Sequence, residues 1–181
     1  MGLTAAIGLF GWGGNGGGQG GSGGYPHSPP GNNVPDVDPG QGINPADNPA
    51  SSLYGQRGSL FHPGVDYSGR GSVYARYSGY VVYAGNSGNG YGYNVIVQYA
   101  SDVKTRYNFY SQYAHLALGS CSFTRGDYVN QGTKIGTIYN GTDFANAGYS
   151  TGPHLHYGEF YIPPGMMAND DFSSRWYMNP R

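Results

Sequence analysis

From Leu53 onwards the chain is a series of short runs rich in Tyr, Val and Ile, cut at close intervals by Gly, Asn and Ser. No stretch holds a helical period over about twelve residues, so the only regular structure open to it is the strand. SVYARYSGYVVYAG reads as two strands around Ser78 and Gly79. YNVIVQYA and TRYNFYSQYAHL are two more, parted by a polar turn near Ser101 and Asp102. DYVNQGTKIGTIYN reads as strand, turn and strand, and PHLHYGEFYI as a last long strand stopped by Pro163 and Pro164. The 34 Gly and 19 Tyr belong with this pattern. Gly supplies tight turns, and Tyr suits a half-buried pleated surface. The prediction is an all-β, antiparallel protein with at most a short helix near the C-terminus.

Residues 1–52 are of another kind. They hold 15 Gly, 7 Pro and no Lys or Arg. GGNGGGQGGSGG is a flexible tract and PHSPPGNNVPDVDPG a stiffer, extended one. The expected organisation is a Gly/Pro-rich leader or linker over 1–52 and a folded domain over 53–181. LTAAIGLF, near the start, is apolar but has no basic residue before it, which argues against a signal peptide. It reads as the tail of a preceding domain of a larger protein, or as a docking segment. Only 10% of residues are charged and the formal net charge is -1, so neither nucleic acid nor an anionic membrane is indicated as a partner. No apolar run approaches the roughly 20 residues of a membrane span. Cys121 is the single cysteine, which excludes an internal disulfide and a four-thiolate zinc site and leans towards an exported or virion-borne protein.

The chain has 5 histidines, and four of them fall in three short stretches: His62 in FHPGVDY, His115 in QYAHL, His154 and His156 in TGPHLHY. On a strand, residues two apart share a face and lie about 6.6 Å from each other along it. His154 and His156 therefore point the same way. His62 and Asp66 also share a face if extended, and Pro63-Gly64 lets that segment bend. Three ligands from neighbouring strands plus a water make a tetrahedral zinc site with an open position, leaving two imidazoles for proton transfer. Spacing leaves open which of His154 and His156 would bind metal. The helical His-Glu-x-x-His pattern is absent. Glu159 is the only Glu, and its odd spacing from His156 puts it on the other strand face, so general acid and base roles fall to histidine. His27 lies in the Pro-rich leader and reads as solvated. Arg125-Gly126-Asp127 reads as an ordinary turn, and Cys121 as a small apolar filler.

HPGVDY, then GYVVYAG, QYAHL, GDYVNQGTKIGTI and STGPHLHYGEF, in this order, resemble the lysostaphin-type zinc endopeptidases that cut bacterial cell-wall peptides. The resemblance covers roughly Phe61 to Phe160, with Trp176-Tyr177-Met178-Asn179-Pro180 as a closing segment. It implies a two-sheet antiparallel scaffold of the duplicated hybrid type with an open substrate groove. It implies one Zn2+ per chain, held by His62, Asp66 and His156, with His115 and His154 catalytic. It further implies a bacterial peptidoglycan peptide as substrate and action outside the cell on the wall. A phage tail is favoured over a secreted autolysin, because no signal sequence or basic wall-binding domain is seen. There are departures. SDVKTRYNFYS and TDFANAGY lengthen loops that wall the groove in this family. Glu159 stands one place later than the pattern expects, which hints at a bulge. Tyr54 lies near the first His, but the resemblance assigns it no role. Two rivals differ in class: an inactive wall-binding or activator domain of the same fold, which typically loses zinc ligands, and a phosphocarrier, which would not need Asp66 beside His62.

Overall fold

The structure is a computed structural model that describes residues 41–88, 90–99, 108–162 and 176–180. Most of the leader, with His27, lies outside the described residues, as do the polar turn at Ser101 and Asp102 and the segment 163–175, so the short helix allowed near the C-terminus falls largely outside them too. Among the described residues, twelve strands and one helical turn follow in chain order: β1 Ala50–Ser52, β2 Gly55–Arg57, β3 Leu60–His62, β4 Val65–Ser68, β5 Ser72–Tyr74, β6 Gly79–Asn86, β7 Tyr93–Tyr99, β8 Asn108–Leu116, β9 Tyr128–Val129, β10 Lys134–Thr137, α1 Phe144–Ala147, β11 His154–Ile162 and β12 Trp176–Met178.

The main sheet is antiparallel and runs β1-β4-β11-β8-β7-β6-β9. β12 pairs with β11 beyond the end of β4, so β4 and β12 share one edge of β11 while β8 takes the other. β10–β5 and β2–β3 form separate two-stranded sheets. The all-β, antiparallel prediction holds.

β11 sits at the centre, and alternation along it sorts its side chains. Leu155 and Tyr157 point into the main core, where they meet Val73, Val95, Tyr113, Leu116 and Ile135. Burying a Leu of this kind contributes about 1.5–3 kcal/mol. Phe160 and Ile162 point to the opposite face and pack with Ile96, Tyr110 and Tyr177. His154 and His156 belong to that second face by the same parity. Glu159 lies with Tyr157 on the core side, where it is buried, accepts a hydrogen bond from the Tyr157 hydroxyl at 2.7 Å and faces Arg76 Nε at 3.5 Å. The bulge hinted at by its position does not occur: β11 pairs with β8 residue for residue from His156 to Ile162.

Residues 41–52, read from composition as the end of the leader, are part of the folded structure. β1 pairs with β4. Ala46 is buried and bridges to Val73. The Arg76 guanidinium donates to the Ile43 carbonyl at 2.7 Å. Gly/Pro content measures how little a segment can bury by itself, and says nothing of what a preformed sheet edge offers it.

Candidate metal centre

β3 ends at His62, turns through Pro63 and Gly64, and returns as β4, which carries Asp66. β4 lies against β11 in a register that sets Asp66 opposite His156 and Ser68 opposite His154. Three side-chain atoms meet there. Asp66 Oδ1 is 3.0 Å from His62 Nε2 and 3.0 Å from His156 Nδ1, and the two nitrogens are 3.1 Å apart. His62, Asp66 and His156 are the one His/Cys/Asp/Glu group among the described residues whose donor atoms could hold a single metal ion. Both histidines are buried.

The surroundings set what these atoms can do. His62 Nδ1 lies 2.9 Å from the Leu53 carbonyl, an acceptor, so a proton on Nδ1 leaves a lone pair on Nε2 directed at Asp66 and His156. Arg57 Nη2 stands 2.6 Å from the same Nδ1 and 2.8 Å from Asp66 Oδ2. Nδ1 serves only one of these two neighbours at a time, and only the bond to Leu53 frees Nε2 for a cation. Arg57 on Oδ2 leaves Oδ1 as the inward oxygen. Burial works against the Asp66 carboxylate, but its close contacts with His156 and His62 and the hydrogen bond from Arg57 more than offset it and hold the carboxyl well below the usual range. Burial also lowers the proton affinity of His156, against the opposing pull of Asp66. Two imidazole nitrogens beside an ionised carboxylate make a donor set that suits Zn2+. Arg57 was missed from sequence. The signal available was an Arg five positions before His62 in a chain with 9 Lys and Arg in all.

His154 and His115 stand beside this group. Their rings are 4.6 Å apart, His154 Nε2 is 3.9 Å from Asp66 Oδ1, and the His115 ring is 6.0 Å from that of His156. Each has its Nδ1 against a backbone carbonyl: His154 on Gly152 at 2.9 Å, His115 on Ala147 at 2.6 Å. That leaves Nε2 of each ring open. Strand parity alone would send His115 to the core side with Tyr113. A bulge prevents it. Val95 pairs with Tyr113 and Tyr93 with Leu116, so Ala114 and His115 together face Asn94. His115 takes φ 61°, the only positive φ outside glycine among the described residues. That conformation costs about 1–2 kcal/mol. Burial, with His156 and His154 nearby, lowers its pKa to about 3.

The remaining candidates fall elsewhere. The Tyr54 hydroxyl is taken up by the Tyr177 carbonyl at 3.4 Å, and its ring packs edge-on against Phe61. Tyr91 lies 5.4 Å from the His156 ring and bonds the Tyr177 hydroxyl at 2.7 Å. Asp127 Oδ2 accepts from the Thr124 amide at 2.7 Å in a turn of its own, and half-buried Cys121 packs against the main core.

With this geometry in view, Peptidase family M23 matches the chain over residues 60–162. The fold is similar to a mutant catalytic domain of the prophage-encoded M23 protein EnpA from Enterococcus faecalis, at 28% identity over 72% of this chain and 87% of that one, TM-score 0.52. It is similar to the catalytic domain of the antimicrobial peptidase lysostaphin from Staphylococcus simulans, at 28% identity over 74% of this chain and 86% of that one, TM-score 0.50. Against lysostaphin beyond its catalytic domain, identity is 29% over 72% of this chain and 46% of that one, TM-score 0.52, so the chain spans about half that length. No curated protein sequence matches.

Proposed function

This chain belongs to peptidase family M23, and on that premise we propose that it is a zinc-dependent endopeptidase that hydrolyses peptide bonds in the cross-links or bridges of bacterial cell walls. One observation carries the proposal: His62 Nε2, Asp66 Oδ1 and His156 Nδ1 lie within 3.1 Å of one another, with two further imidazoles beside them. His62, Asp66 and His156 would hold one Zn2+ per chain. A zinc ion in that position supplies Lewis acidity to a carbonyl oxygen and lowers the pKa of a bound water.

The chain's own residues do the rest. Arg57 holds Asp66 Oδ2 and keeps the carboxylate from turning. His115 and His154 are the general acid–base pair. Each keeps its Nδ1 proton on a carbonyl and presents Nε2 for proton transfer. One Nε2 takes a proton from the attacking water, and that same proton, held on the imidazolium or passed to the second Nε2, goes to the amine as the C–N bond breaks. Burial keeps His115 neutral at pH 7, so its Nε2 lone pair is available as an acceptor. An extended peptide would lie across the His154–His156 face, beside Tyr91 and the exposed Tyr149. The enzyme would act outside the cell, on the wall, as the wall-cutting part of a larger protein.

The inactive-domain reading draws no support from the site, because none of the three ligand positions is substituted. A phosphocarrier would leave Asp66 without a task. The test is direct. Purified chain is assayed for zinc, then incubated with glycine-bridged and with directly cross-linked peptidoglycan, and the fragments are identified by mass. About one zinc per chain and a new amino terminus in one substrate, lost with chelator and restored by zinc, is the expected result. Stoichiometric zinc with no cleavage of either wall would overturn the proposal in favour of the inactive domain.

A further inference from the structure

The loop before β11, one of the two lengthened relative to the family pattern, makes a hydrogen bond to the His115 ring, and the contact is short. His115 Nδ1 to the Ala147 carbonyl is 2.6 Å, and both residues are buried. Ala147 is the last residue of α1, a single turn. The Asp143 carbonyl accepts from the Ala147 amide at 2.8 Å, and Asp143 Oδ1 accepts from the Asn146 amide at 3.1 Å. Asp143 Oδ2 accepts from the Tyr139 hydroxyl. The Tyr139 amide in turn donates to the His115 carbonyl at 2.9 Å. The bonds close a ring: His115 backbone, Tyr139, Asp143, Ala147 and back to the His115 ring.

Two glycines let this turn approach. Gly148 has φ +69°, and a Cβ there would stand 2.1 Å from the Gly90 carbonyl oxygen. Gly92 has φ +61°, and a Cβ there would stand 2.4 Å from the Asn146 carbonyl oxygen. Gly90 and Gly92 are therefore pressed against the turn of α1, with no room for a side chain at Gly92 or Gly148. Between Gly90 and Gly92 the Tyr91 carbonyl accepts the His115 amide at 2.9 Å, and Asn86 pins the turn from outside through the Ala145 carbonyl at 2.5 Å. His115 is held by its amide, its carbonyl and its ring, in a backbone region that a residue of its kind rarely takes.

We propose that the 142–149 turn is a positioning element for His115: Asp143 and Gly148 place the Ala147 carbonyl so that the imidazole keeps its proton on Nδ1 and presents Nε2 to the reacting groups. A neutral imidazole can carry its proton on either nitrogen, and the partner of one nitrogen decides the state of the other. With the proton on Nε2, His115 would present a donor where an acceptor is required. The turn that carries this carbonyl continues into Tyr149, which is 78% exposed, so the element that holds the ring also borders the peptide path. The proposal rests on the reading of His115 as a proton-transfer residue, and its test separates the two.

The full chain is labelled with 15N-histidine, and the His115 ring is assigned by comparison with His115→Ala. Nitrogen shifts of the ring are read with chelator and again with zinc, alongside kcat, KM and zinc content. The expected result is an Nδ1–H tautomer in the parent chain in both conditions. Asp143→Ala, which removes an exposed carboxylate, and Gly148→Ala, which forces the turn outward, should each show a mixture of tautomers. Both should keep full zinc and a nearly unchanged KM, with kcat lower by roughly 10–100-fold, the range for loss of an orienting partner. Asp143→Asn, which keeps an Oδ1 acceptor, should recover part of the loss. An Nε2–H tautomer in the parent chain overturns the proposal, as does an unchanged tautomer in Asp143→Ala if Gly148→Ala also folds with parent-like shifts. Normal turnover in His115→Ala would overturn the catalytic reading of His115 and leave the tautomer result standing.

Discussion

Gly64, inside HPGVD, gives a sharp test of how the metal centre is built. Its φ is not positive, so any residue could adopt the backbone there. The reason for glycine is space alone. A Cβ on Gly64 would lie 2.5 Å from the Tyr157 carbonyl oxygen, 2.7 Å from His156 Cε1 and 2.8 Å from His156 Nε2. Ordinary contact begins near 3.4 Å, so Gly64→Ala must part the β3–β4 turn from β11 by about 0.9 Å. Neither obstacle yields easily: one is backbone in the middle of a sheet, the other a buried ring. Overpacking of this kind costs about 1–3 kcal/mol. For a chain of this size each kcal/mol moves Tm by roughly 2–4 °C, so melting in chelator should fall by about 2–12 °C. The metal should suffer separately. Ligand positions tolerate about 0.2 Å, and the same displacement falls between His62, Asp66 and His156. Zinc affinity should drop by roughly 10–100-fold. Thermal melts with and without zinc, and competition against a chromophoric chelator, measure both quantities. Gly152→Ala is the control, since a Cβ there meets nothing within 4 Å. Parent-like Tm and zinc affinity in Gly64→Ala would refute the view that rigid β4–β11 packing sets the donor geometry.

His62→Ala and His156→Ala should each lose stoichiometric zinc by metal analysis of the purified protein; full occupancy in either would remove that residue from the ligand set. His115→Ala and His154→Ala should keep about one zinc and lose roughly 10²–10⁴-fold in turnover on purified walls; zinc loss in His154→Ala would mean the two histidines of the pair have exchanged roles. In chelator, stability should fall as pH drops from about 6.5 towards 3. Burial lowers the folded pKa of His115 to about 3, while the unfolded imidazole titrates near 6.5, so in that window the unfolded chain binds the proton and the folded one does not. His115→Gln should show a shallower slope in denaturant titrations across that range. A chain starting at residue 41 should melt like the full chain, whereas one starting at 53 should lose at least about 1–3 kcal/mol, because Arg76 is left without the Ile43 carbonyl; equal melting of the two would show that β1 and its neighbours add nothing.

Much of this protein was legible in one dimension because strand periodicity is local. Alternation along HLHYGEF puts His154 and His156 together and Glu159 with Tyr157 on the other side, and β11 obeys it. The strands themselves, from SVYA to HLHYGEFYI, follow from Tyr, Val and Gly placement for the same reason. Three things did not follow. Residues 41–52 look like linker by composition, yet they fold, because the β4 edge and the Arg76 guanidinium offer partners that no local signal announces. Arg57 shares no motif with Asp66 and reaches it only because the β2–β3 hairpin folds back beside β4. His115 is the clearest case. Period-two alternation sends it to the wrong face, and the bulge against Asn94 turns it round at φ 61°. That strained conformation is held by the Tyr91, Tyr139 and Ala147 groups, all distant in sequence. Donor chemistry and strand parity are properties of neighbouring residues and were set by the sequence itself. The convergence of His62, Asp66, His115, His154 and His156 depends on cross-strand register and on one extra residue in β8, and those exist only once the sheet has closed.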